Sequence, residues 1–179
     1  MLLNLPMPSS PIQIIILELF VDLAASTSFV AEPAEKDLLK LKPRDPQESF
    51  MNKPMPSGIF SGGITLAATV LLAHLFTWHT TKDLGAAQTY AFVTWLLCHV
   101  CLAFNMRTNR VPLSKVGIFS SKAFNFWMVG VAAFLLLVLN LPVLNHYLKL
   151  SPVDFLPVLI LAGLSILTMS WMEIRKHIM

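Results

Sequence analysis

Charge is scarce in this chain: Asp, Glu, Lys and Arg make up 13% of its 179 residues, against about a quarter in soluble globular domains. The 13 basic and 10 acidic side chains leave a net charge of only +3. That is too little for the basic footprint of a nucleic-acid binder, so no nucleic-acid partner is expected. Cysteine is nearly missing as well. Cys98 and Cys101 are the only two and both lie in an apolar run, which excludes a disulfide framework. No basic stretch precedes the first apolar segment and no small-residue cleavage site follows it, so no signal peptide is expected. Heptads, internal repeats and low-complexity tracts are missing too, which removes coiled coils and solenoids from consideration.

What remains is apolar. Hydrophobic residues make up 55% of the sequence and the mean hydropathy is +0.67. This is the composition of an all-α integral membrane protein, multi-pass, with the lipid bilayer as its first partner. Five runs reach the ~20 residues that a bilayer crossing needs. They cover about 12–31, 59–78, 86–106, 123–144 and 155–172, with polar loops at 32–57 and 107–122. The lead, 1–10, carries Pro6 and Pro8 and reads as a turn or loop. Gly58, Gly62 and Gly63 open the second run and permit a close helix approach. Trp78 and His79 close it in the manner of an interfacial belt, and His74 is expected near the same interface. The connection 80–85 is short, which predicts that the second and third spans form an antiparallel pair.

Basic residues orient the bundle. Lys36, Lys40, Lys42, Arg44 and Lys53 follow span one, Arg107, Arg110, Lys115 and Lys122 follow span three, and Arg175 and Lys176 follow span five. Only Lys82 and Lys149 fall on the opposite side. The positive-inside rule then predicts an outside N-terminus and a cytoplasmic C-terminus.

Within this greasy sequence Glu18 and Asp22 stand out. A carboxylate at the centre of a membrane helix costs about 2.5–3.5 kcal/mol on insertion scales. Two of them four residues apart share one helix face. Hard cations take oxygen ligands, and Ser26 extends the same face by one turn. The pair therefore reads as a cation or proton site, with Asp22 the stronger ligand. Protonation of one carboxylate, hydrogen-bonded to a neighbouring helix, is the structural alternative.

Span three offers Thr94, Cys98, His99, Cys101 and Asn105. Cys98-His99-x-Cys101 has the ingredients of a soft-metal site. At about 100° per residue, however, Cys98 and Cys101 share a face that His99 does not, and the cysteines read as small packing residues. Asn125 and Asn140 read as helix–helix hydrogen-bond residues or end signals, and Asp154 as solvated.

The stretch Pro11, Gln13, Glu18-Leu19-Phe20-Val21-Asp22, then Glu32-Pro33, Glu35, Asp37 and Lys42-Pro43-Arg44 resembles the sixth transmembrane helix and following cytoplasmic loop of P-type cation-transporting ATPases. The five spans and their orientation agree with helices six to ten of that family. Calcium pumps of the family carry N-L-x-T-D in this helix. Glu18 takes the Asn place and Asp22 matches the Asp, while Val21 stands in the Thr place as a departure. A loose alignment through Cys101 and Asn105 puts His99 near the ion-binding Glu of the eighth helix, which makes His99 a third candidate for the transported cation, with an interhelical hydrogen bond as the alternative.

The resemblance implies that the segment Glu32–Arg44 couples phosphorylation to the membrane helices. It implies a role as the C-terminal membrane portion of a pump, contributing cation-coordinating carboxylates and bracing the transport helices. The D-K-T-G-T phosphorylation motif and a Walker A pattern are both missing, so the chain alone is not expected to hydrolyse ATP, and no catalytic residue is assigned. No cofactor is expected in it; ATP and Mg would bind the domains it lacks. The expected partner is the N-terminal part of the pump, on the same or a separate chain, in the plasma membrane of a prokaryote. A stand-alone membrane protein serving as a structural or regulatory partner is the alternative.

Overall fold

The computed structural model describes residues 7–31, 54–107, 117 and 119–178. The segment Glu32–Arg44, for which a coupling role is expected, most of the loop cations and the side chain of Val21 lie outside the described residues. The regular structure among the described residues is all helical, and five of the helices are long and apolar enough to cross a membrane.

The first span, α1 (Pro11–Val30), has three parts. Pro11–Ile16 and Ala24–Val30 are α-helical, and between them Leu17–Leu23 winds as a π-helix. Its start is well specified. Pro11 sits at the first helical position, where the missing N–H would be an orphan anyway, and the Ser10 N–H donates to Gln13 Oε1 at 3.0 Å. Gln13 is fully buried and donates through Nε2 to the Leu148 carbonyl at 3.0 Å. Gln88 Nε2 reaches the Met7 carbonyl at 2.9 Å. The entrance of α1 is thereby tied to two other elements.

α2 (Pro54–Thr81) and α3 (Leu84–Met106) form the antiparallel pair. Lys82 turns the chain with a left-handed φ of 56°. Asp83 Oδ1 then caps α3, accepting from the N–H groups of Gly85 and Ala86 at 2.8 and 3.3 Å, which satisfies donors that the helix itself leaves unpaired. α4 (Lys122–Asn140) starts on a Ser121 cap. It ends at Asn140 because Pro142 opens a separate short helix, α5 (Pro142–Leu148). The fourth expected run, 123–144, is thus divided at Leu141, where a proline cannot continue the hydrogen-bond ladder. Asn125 and Asn140 bond within or beside their own helix, to Phe119 and Leu136 carbonyls, as end signals do. α6 (Phe155–Ile178) completes the bundle.

α3 is the hub. Ala87, Ala91, Phe92, Val93, Leu96 and Cys98 on it are fully buried. One side meets Leu17 and Ala25 of α1 and Phe124, Trp127, Val131 and Val138 of α4. The other meets Met169 and Met172 of α6 and Leu66 of α2. The polarity pattern is that of a protein whose solvent is lipid: Phe60, Ile64, Phe76, Phe126 and Leu167 face outward, while Gln13, Thr69, His74, Thr77, Thr89, Thr94 and Ser165 are buried. Association of such helices rests on close packing and interhelical hydrogen bonds rather than on the hydrophobic effect.

Candidate cation site

The π-helical segment contains both carboxylates, Glu18 and Asp22. A π turn bonds i to i+5 and is rare; where it occurs inside an α-helix it frequently marks a functional site. At the switch back to α-helix, the hydroxyls of Ser26 and Thr27 donate to the carbonyls of Asp22 and Leu23 at 2.8 and 3.0 Å. Such i−4 bonds supply a further partner to carbonyls where the ladder changes register.

Asp22 is met from α3. Its Oδ1 lies 2.8 Å from His99 Nε2, and the other ring nitrogen, Nδ1, accepts from Trp95 Nε1 at 2.8 Å. The Asp22 side chain remains 46% exposed, whereas His99 is 21% exposed. Glu18 is exposed on the same helix and within electrostatic reach of His99. A cavity of about 190 Å³ lies against this pair, lined by Asp22, Ser26 and His99 and by the apolar Phe29, Leu102 and Met106. Two of the expected residues, Asp22 and His99, are therefore in contact and Ser26 borders the same space, while Glu18, four residues before Asp22, does not line it.

Cys98 and Cys101 stand apart from it. Both are free thiols, and the Cys98 thiol lies 3.3 Å from Ser165 Oγ on α6, on a different side of α3 from His99. Asn105 also faces α6, donating to the Met169 carbonyl at 3.3 Å and to Cys101 of its own helix at 2.9 Å. Among the described residues no three His, Cys, Asp or Glu side chains converge as a ligand set. His74, expected at an interface, is instead 1% exposed within the bundle, and neither of its ring nitrogens has a hydrogen-bond partner among the described residues. Sequence reasoning missed Trp95. The available signal was its position four residues before His99, the spacing that brings helical side chains together.

A family model described as "Cation transporting ATPase, C-terminus" matches residues 6–178. The chain belongs to this family. Its relatives include the calcium-transporting ATPase of Bacillus subtilis strain 168, 31% identical over 155 residues, covering 86% of this chain and 16% of that protein. Calcium-transporting ATPase 1 of Bacillus cereus is 30% identical over 146 residues, 73% of this chain and 16% of that protein. Calcium-transporting ATPase type 2C member 1 of Mus musculus is 24% identical over 167 residues, 92% of this chain and 18% of that protein. The chain spans about a sixth of the length of these relatives.

Proposed function

We propose that this segment serves an ATP-driven pump for a divalent cation, calcium by the names of its relatives, and that Glu18 and Asp22 are ligands of the transported ion. His99 stands beside them as the third member of the site. The observation that carries this reading is the exposure of Asp22: a carboxylate 46% open, on a helix long and apolar enough to cross a membrane. Lipid is a poor neighbour for that group. Water, a cation and further protein are suitable ones, and the cavity beside Asp22 and Ser26 has room for the first two.

On this reading the chain alone does not hydrolyse ATP. ATP and Mg bind elsewhere in the pump, the Glu32–Arg44 segment couples the two halves, and the exposed face of α1 packs against spans that precede it. The basic loops lie in the cytoplasm with the C-terminus, and the N-terminal end of α1 faces outward. The two Bacillus relatives favour a prokaryotic plasma membrane.

The deciding experiment is Asp22→Asn in the intact pump, reconstituted in vesicles. It keeps the shape and removes the charge, so calcium-stimulated ATP hydrolysis is expected to vanish. Stimulation equal to wild type would remove Asp22 from the cation site.

A further inference from the structure

The Asp22 carboxylate is met by one ring from α3, and that ring is itself fixed by a second residue. Trp95 Nε1 carries a hydrogen and accepts nothing. It lies 2.8 Å from His99 Nδ1, so Nδ1 must present its lone pair. A neutral imidazole then carries its proton on the other nitrogen, which puts an N–H on Nε2, 2.8 Å from Asp22 Oδ1. Both nitrogens are committed, and neither keeps a lone pair for a metal ion. The relay is local: Trp95 and His99 are four residues apart on one helix, with ring planes 29° from parallel and centroids 6.3 Å apart. Carboxylates that ligate metals are in turn commonly held by hydrogen bonds from residues outside the ligand set.

We propose that Trp95 and His99 are positioning residues for Asp22. Trp95 selects the Nε2–H tautomer of His99. The Nε2–H then holds Oδ1 of Asp22 and leaves Oδ2 for the transported divalent cation, which raises the affinity of the site. This rests on the assignment of Asp22 as a cation ligand and goes beyond it by giving His99 a role without ligation.

Two measurements test it. In the chain labelled with 15N-histidine in lipid nanodiscs, the His99 ring, assigned by its loss in His99→Gln, is expected to carry its proton on Nε2. In Trp95→Phe, which keeps an aromatic ring and removes the N–H, a population protonated on Nδ1 is expected to appear. A wild-type ring protonated on Nδ1 overturns the proposal.

In the reconstituted pump, Trp95→Phe is expected to raise the calcium concentration for half-maximal ATP hydrolysis about tenfold, with the maximal rate changed far less. His99→Leu is expected to do at least as much. His99→Gln, whose amide N–H can reach Asp22, is expected to recover most of the affinity. In that background Trp95→Phe should add nothing, because an amide has no tautomer to select, and this separates positioning from mere packing. Asp22→Asn keeps the two levels of inference apart. Lost stimulation in Asp22→Asn with an unshifted Trp95→Phe overturns the positioning alone. Full stimulation in Asp22→Asn overturns the cation-site reading and this inference with it.

Discussion

His99 and His74 occupy one bundle and differ in what their nitrogens meet. His99 has a partner at each nitrogen. His74 is buried at 1% exposure with neither nitrogen partnered among the described residues. A buried polar group without a hydrogen bond costs about 1–3 kcal/mol, so His74→Leu, close in size and apolar, is expected to stabilise the chain. Thermal unfolding in nanodiscs measures it: a raised midpoint is expected, and a lowered one would reveal a water or side chain bonded to the ring. The two carboxylates were legible from the sequence because charge within an apolar span is costly whatever its surroundings. The burial of His74 was not, because its position relative to Trp78 and His79 suggested an interface, whereas α2 continues to Thr81. Trp95 was only half legible. Its spacing of four residues from His99 brings the two rings together, but a tryptophan in a membrane helix usually reports lipid headgroups, and spacing alone does not aim an indole N–H at Nδ1.

At the scale of elements, the spans could be read from apolar runs and the connections from proline and charge. The π-helix at Leu17–Leu23 could not. Its i to i+5 ladder is weaker than an α-helical one, so it is adopted where tertiary contacts require it, and no residue pattern encodes it. Close packing was foreseen at the glycines of α2, and it separates two of them. A Cβ at Gly62 would lie 2.9 Å from Leu102 Cδ1 and 3.4 Å from Met172 Cε, whereas one at Gly63 would meet nothing within 4 Å. The atoms met are the ends of the flexible Leu102, Met172 and Met106 side chains, which can yield to a methyl. Gly62→Leu adds three further carbons in the same space and forces these side chains to repack, at the cost of about 1–3 kcal/mol that overpacking carries. Gly63→Leu, with the same change in composition, should leave the unfolding midpoint close to wild type. Equal losses in both variants would mean that backbone flexibility, rather than close approach, accounts for the glycine at 62.

For the molecule as a whole, α1 and α6 are the spans least supported by their neighbours. A quarter of α1 and 22% of the apolar part of α6 are buried, against 44% of α3, and α1 also carries the π-helical ladder and both carboxylates. Asp22 is anchored at one oxygen by His99, and the entrance is anchored through Gln13 to Leu148; Ile15, Leu19 and Leu23 on the same span are exposed. A span that carries charge and lacks neighbours should open before the hub of the bundle. Amide exchange of the chain in nanodiscs is therefore expected to be faster over Pro11–Val30 than over Leu84–Met106. In the intact pump the difference should narrow as further spans cover Glu18 and the open side of Asp22. Equal protection of the two spans in the chain alone would mean that lipid and the His99 contact suffice to hold α1, and the need for protein against its exposed face would fall away.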